Sequence, residues 1–171
     1  MVRFTHTAGN FFIGPNAYLT GEVEIGEECS FWFGTVVRGD VAAVKLGKRV
    51  NVQDNAVVHC DSGVANVIGD DVTIGHSAVV HGESVGRGTL IGMRATVLGR
   101  VKIGEECLIA AGAVVSPGME VPDRMVVMGV PGKIVRPVRD EELKYMRWLT
   151  QHYVELAKKY ATEGFADAGR K

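Results

Sequence analysis

Residues 85–114 read VGRGTL IGMRAT VLGRVK IGEECL IAAGAV, and set in rows of six they align an aliphatic head at Val85, Ile91, Val97, Ile103 and Ile109. The same frame places Ile13, Leu19, Ile25, Phe31, Val37, Leu46, Val52, Val58, Ile68, Ile74 and Val80 before this stretch, and Val115, Val121 and Val127 after it. The frame slips three times: three extra residues before Leu46, four before Ile68, and one missing before Val85. The fifth place of a row is mostly small, as at Ala17, Cys29, Thr35, Ala56, Ala78, Ala95, Cys107 and Ala113. Two inward positions per short strand, with a sharp turn between rows, give this pattern. A helix would place its heads three and four apart, and separate hairpins would signal turns every eight to twelve residues. Short strands wound about one axis satisfy the period of six, so the reading is an all-β solenoid whose coils stack on their neighbours.

Composition agrees. The 22 glycines in 171 residues are nearly twice the usual share of about 7%, and the reading places them where the chain turns. A hydrophobic content of 46% supplies a core. Nineteen basic against twenty acidic residues provide no field for nucleic acid or anionic lipid. The sequence shows neither an apolar run of membrane-spanning length nor a signal-peptide core at its N-terminus, so a cytoplasmic protein is expected. Cys29, Cys60 and Cys107 have no metal-ligand spacing, and Cys29 and Cys107 repeat in near-identical IGEEC rows as core thiols.

From Asp140 the period changes. Leu143, Met146, Leu149, Tyr153, Leu156 and Tyr160 step by three and four, predicting an amphipathic helix with Asp140 as N-cap that folds back on the coils. The division is therefore a β-helix over 1–137 and a helix with tail over 138–171, packed as one domain. The last stretch, ATEGFADAGRK, reads as frayed.

Three of the five histidines, His59, His76 and His81, fall in one third of the repeat. Taking every third row as one side of a three-sided coil, as the family resemblance given below implies, the residue after the head is Arg38, His59 and His81 in successive coils of one column. His59 and His81 then share a ligand one coil apart, while His76 sits across a corner on the adjacent side. Completing a three-histidine site requires a second subunit, and packing about a threefold axis repeats it at each interface. A structural reading of each histidine alone, and of Asp40, Asn51, Gln53 and Asp54 as turn caps or ladders, stands beside this one.

The rows IGHSAV, VGRGTL, IGMRAT and IGEECL resemble the hexapeptide-repeat family over about residues 11–131, which implies a left-handed parallel β-helix of about six coils. The strings FWFGTVVRGD, NVQDNAVVH and IGHSAVVHG resemble the γ-class carbonic anhydrases over nearly the whole chain. That resemblance implies a homotrimer with shared metal sites. His59, His76 and His81 would ligate Zn2+, Fe2+ or Co2+. Arg38 and Asp40 would form an interface ion pair, with Asp54 in the inter-subunit network. Asn51 and Gln53 would position solvent and bicarbonate. It implies reversible hydration of carbon dioxide by a metal-bound hydroxide. The chain departs from the family's most active members at Val41, where they carry glutamate, and in the short loop CDSGVAN, where they carry an acidic one. Asp61, His152 and Tyr153 are candidate proton carriers in their place. An acyltransferase, a thioesterase and a metal-binding scaffold are the competing functions, the first needing one histidine rather than three.

Overall fold

The computed structural model describes residues 1–167. Nearly all its strands are two to five residues long, and each of the nineteen row heads lies in one. Successive coils pair in parallel and in register, for example Val79↔Val57, Val80↔Val58, Leu90↔Thr73 and Ile91↔Ile74. The result is a parallel β-solenoid of about six coils. Phe31, Val52, Ile74, Ile91, Ile109 and Val127 stack into its interior with Cys29, Ala56, Ala78, Ala95, Cys107 and Ala113. Each larger side chain so buried is worth roughly 1.5–3 kcal/mol in transfer free energy. Stability thus accrues from contacts between neighbouring coils.

One side of the prism is a sheet running Thr5–His6, Phe12–Ile13, Ser30–Phe31, Asn51–Val52, Thr73–Ile74, Leu90–Ile91, Leu108–Ile109, Met125–Met128 and Lys133–Pro137. The other two sides join into a single sheet, because the strand Val36–Leu46 turns a corner without breaking. Its first half pairs with Val57–Val58 and its second with Asn66–Ile68. The row frame has a three-residue insertion here, and the insertion is what lets the chain round the corner as a strand. The strand Tyr18–Ile25 follows it, with a register shift between Gly21 and Val23.

The corners are not where most glycines are needed. Eleven non-glycine residues hold positive φ, among them one corner column of Asn10, Glu28, Arg49, Asp71, Glu106 and Arg124, with Gly88 at the remaining rung. Each N–H of this column from Glu28 onward bonds to a carbonyl of the coil before, as Arg49 N does to Glu27 O at 2.8 Å. Glu28, Arg49 and Asp71 alternate in charge along it, and Arg49 with Asp71 (2.6 Å) and Arg124 with Glu106 (2.8 Å) are ion-paired. Many glycines instead follow a strand head, where coils approach too closely for a side chain. A Cβ on Gly69 would stand 2.8 Å from Arg87 N, and one on Gly75 2.8 Å from Met93 N.

The helix α1 spans Asp140–Thr162. It starts one residue earlier than the sequence suggests: Arg139 is the N-cap, and Asp140 is already helical. Glu142 explains the shift, accepting from Arg139 N–H at 2.8 Å while pairing with Arg136 at 2.7 Å. These partners pull its carboxyl down to about 2. α1 runs back along the first sheet toward the early coils, tied by Arg147–Glu106 (2.7 Å), Thr150 Oγ to Asp71 O (3.1 Å) and Lys158–Glu28 (2.9 Å). Its most buried residues are Leu143, Met146, Thr150, Val154 and Ala157, so the buried stripe is turned from the large-residue stripe toward smaller ones. Leu149, Tyr153, Leu156 and Tyr160 flank it.

The segment expected to fray is pinned as far as it is described. Ala161 and Thr162 are helical, Val2 N–H donates to Phe165 O at 2.7 Å, and Phe165 packs on Tyr160. Phe4, Trp32, Tyr153 and Tyr160 complete an aromatic cluster there, with Phe4–Trp32 ring centroids 4.8 Å apart. Residues 168–171 of that expectation lie outside the described residues. Among the described residues no helix is long and apolar enough to cross a membrane.

Candidate metal centre

Register carries Arg38, His59 and His81 into one column, because each follows an aligned head: Val37, Val58 and Val80. His81 Nε2 lies 3.2 Å from His59 Nδ1, with ring centroids 5.1 Å apart. His59 Nε2 meets Asp40 Oδ1 at 2.9 Å, and a carboxylate only accepts, so Nε2 carries the proton and Nδ1 the lone pair. Asp40 also pairs with Arg38. The His59 hydrogen bond first, and Arg38 second, hold the Asp40 carboxyl below the usual carboxylate range. His81 Nδ1 stands 3.6 Å from Asp61 Oδ1, and Gly99 leaves the room that Asp61 occupies.

A residue that sequence reasoning missed fixes the two strands. Asn66 is fully buried, and its Nδ2 donates to His59 O at 2.8 Å and to Val80 O at 3.2 Å. The available signal was the asparagine that closes the short loop CDSGVAN, two residues before the head Ile68. Cys60 turns inward and donates to Ala42 O at 3.1 Å, and burial pushes its thiol up, which disfavours the thiolate a metal would need.

His76 lies on the adjacent side, after the head Ile74. Its Nδ1 meets Asp54 Oδ2 at 2.7 Å, leaving Nε2 as the lone-pair nitrogen. Its backbone N–H donates to Gln53 Oε1 at 3.2 Å. Gln53 is 3% exposed and sits where α1 covers the sheet. Asn51 is not drawn to either group of histidines: it is buried beside Ser30, which donates to its Oδ1 at 3.3 Å while accepting from Trp32 Nε1 at 3.1 Å. Asn51 Nδ2 and Thr73 Oγ, on paired strands, find no hydrogen-bond partner among the described residues. His152 stacks on Trp148, and Tyr153 joins Gln53 and the aromatic cluster, so neither approaches His59 and His81.

His59 and His76 share one arrangement, a carboxylate at one ring nitrogen and a lone pair at the other, while His81 turns its Nε2 to the His59 lone pair and has Asp61 3.6 Å from its Nδ1. A carboxylate at the far nitrogen is the usual outer support of a metal-bound imidazole. At metal–nitrogen distances of about 2.0–2.1 Å, two ligands of a tetrahedral cation stand about 3.3 Å apart, close to the separation of the His59 and His81 nitrogens. The donor set fits a borderline divalent cation. Among the described residues of one chain, however, no three His, Cys, Asp or Glu side chains converge on a point.

Known proteins share the fold. The family description "Bacterial transferase hexapeptide (six repeats)" matches residues 84–117 and "Hexapeptide repeat of succinyl-transferase" matches 65–93. A probable carbonic anhydrase of Methanocaldococcus jannaschii is 43% identical over 149 residues, covering 87% of this chain and 94% of that protein. Gamma carbonic anhydrase 2, mitochondrial, of Arabidopsis thaliana is 39% identical over 158 residues, covering 89% of this chain, which spans only 57% of the plant protein's length. A solved structure of a putative acetyltransferase from Bacillus cereus superposes with a TM-score of 0.84 at 37% identity, covering 91% of this chain and 90% of that one. The chain belongs to the γ-carbonic-anhydrase-like family of hexapeptide-repeat proteins.

Proposed function

We propose that this protein is a metal-dependent enzyme that reversibly hydrates carbon dioxide to bicarbonate, with sites shared between subunits of a homotrimer. The observation that carries the reading is that His81 Nε2 and His59 Nδ1 face each other at 3.2 Å, with carboxylates of Asp40 and Asp54 held at 2.9 and 2.7 Å on the far nitrogens of His59 and His76. In it, His59 and His81 of one protomer and His76 of the partner subunit hold Zn2+, or Fe2+ or Co2+. Such a cation supplies Lewis acidity that brings the pKa of a coordinated water to about 7, the value established for the zinc of carbonic anhydrases.

The chain's own residues do the rest. Asp40 keeps the proton of His59 on Nε2, which presents Nδ1 as the ligand atom, and Asp54 does the same for His76 through Nδ1–H. Arg38 places a permanent positive charge beside the histidine pair, favouring an anionic product near it, and is itself held by Asp40. Gln53 is tied through Oε1, so its Nε2 is the amide group free to donate to an oxygen near His76. Asn51 acts from beneath α1 rather than by direct contact. Asp61, within 3.6 Å of His81, is the carboxylate best placed to pass a proton outward. Three buried, unpaired thiols support placement in the reducing cytoplasm.

Two measurements test this. Metal analysis of protein purified without chelators should find about one divalent ion per chain under this site stoichiometry, and stopped-flow hydration of carbon dioxide should require it. Metal-independent acyl transfer from coenzyme A would establish the acyltransferase reading instead.

A further inference from the structure

Beside His76 the sheet under α1 opens into a groove. Along that side the residue after each strand head changes from Trp32 and Gln53 to Gly75, Gly92 and Ala110, so the floor beyond Gln53 is nearly bare. Tyr145, Leu149 and Tyr153 of α1 form the roof, and Leu90 and Leu108 one wall. The space measures about 280 Å3, and none of its lining residues is charged. A molecule in liquid water occupies roughly 30 Å3, so a triatomic substrate leaves most of this space unused.

Apart from the Tyr145 and Tyr153 hydroxyls, the polar side chain of the groove is Gln53, at its end. The His76 N–H must face the oxygen of the Gln53 amide, which fixes the amide's orientation. Gln53 Nε2 is then left with no acceptor among the described residues, on a side chain that is 3% exposed and lines the groove. The donor is not among the buried unsatisfied atoms, so it faces the open space of the groove and is available to a ligand there. Apolar walls with one oriented polar group are the usual make-up of a small-molecule site.

We propose that this groove binds a neutral carbonyl compound bearing a short alkyl chain. Its C=O accepts from Gln53 Nε2, and its chain lies over Gly75 and Gly92 beneath Leu149 and Tyr145. Carboxylates and bicarbonate are disfavoured, because no cation lines the space. The proposal goes beyond carbon dioxide hydration and needs no metal.

Pentan-2-one and pentane are the probes, titrated into the full chain with chelator and again after metal loading, and followed by methyl and side-chain amide NMR. Saturable shifts of the Leu90, Leu108 and Leu149 methyls and the Gln53 amide are expected with pentan-2-one in both states. Gln53→Leu should weaken the ketone about tenfold, the value of one neutral hydrogen bond, and leave pentane unchanged. Ala111→Phe, at the exposed rim and independent of Gln53, should abolish binding of both. Absence of saturable shifts overturns the proposal. So does equal binding of the two probes, or a dilution-dependent shift of the same methyls without ligand, which would mean a second copy covers the groove. Failure of metal uptake leaves this result standing, and failure here leaves the hydration reading standing.

Discussion

The two groups of histidines are held differently. His59 and His81 sit on an open side, supported by side chains that are themselves in water: Arg38 and Asp40 are 44% and 45% exposed. His76 sits at the edge of α1, and its backbone is clamped by a glutamine that the helix covers. The first group is set by electrostatics among solvent-exposed groups, the second by packing. A site assembled from both would have one adjustable jaw and one fixed jaw.

The largest effects should come from the histidines. His76→Ala and His81→Ala are each expected to lose bound metal, read by elemental analysis. Co-expressing the two variants should restore metal at the interfaces where an intact His76 meets an intact pair. A hybrid that stays empty would undo the contrast, since both jaws would then belong elsewhere.

Next come the carboxylates. Asp54→Asn and Asp40→Asn should each weaken metal affinity about 10–100-fold in a competition with a chromophoric chelator. Asp40→Asn should be the more severe, because it also leaves Arg38 unpaired beside the cation. Stability should respond the opposite way. Gln53→Ala removes a buried hydrogen bond and is expected to cost about 1–2 kcal/mol in urea unfolding. Arg38→Ala, on the open side, should stay within about 0.5 kcal/mol.

The last prediction concerns the start of α1. Glu142→Gln should cost about 1 kcal/mol near neutral pH, allowing for solvent around the pair. The Glu142 carboxyl is depressed from 4.5 to about 2, so its contribution is complete above about pH 4.5 and vanishes as pH falls through 2. Thermal unfolding of both proteins should therefore differ at about pH 6 and converge near pH 2.

Much of this was legible in the sequence. Nineteen heads at a period of six mark nineteen strand positions, because two inward places per row leave little freedom in how coils stack. The same spacing that puts His81 twenty-two residues after His59 also puts His76 twenty-two after Asp54, so one rung of register predicts both contacts. What the period could not carry lay outside it. The unbroken corner of Val36–Leu46 depends on an insertion, the start of α1 depends on Arg136 reaching Glu142, and the burial of Asn51 depends on where the helix comes to rest. The crowding that demands glycine after a strand head is likewise a property of two neighbouring coils and not of one row.

The alternation of Glu28, Arg49 and Asp71 down one corner constrains how such a molecule can lengthen or shorten there. Excising the turn that bears Arg49 would bring Glu28 against Asp71, two anions at the spacing of adjacent strands. A gene that gained or lost a single repeat there would inherit a repulsive step in its spine, so changes in pairs, or changes elsewhere along the axis, are the ones electrostatics leaves open.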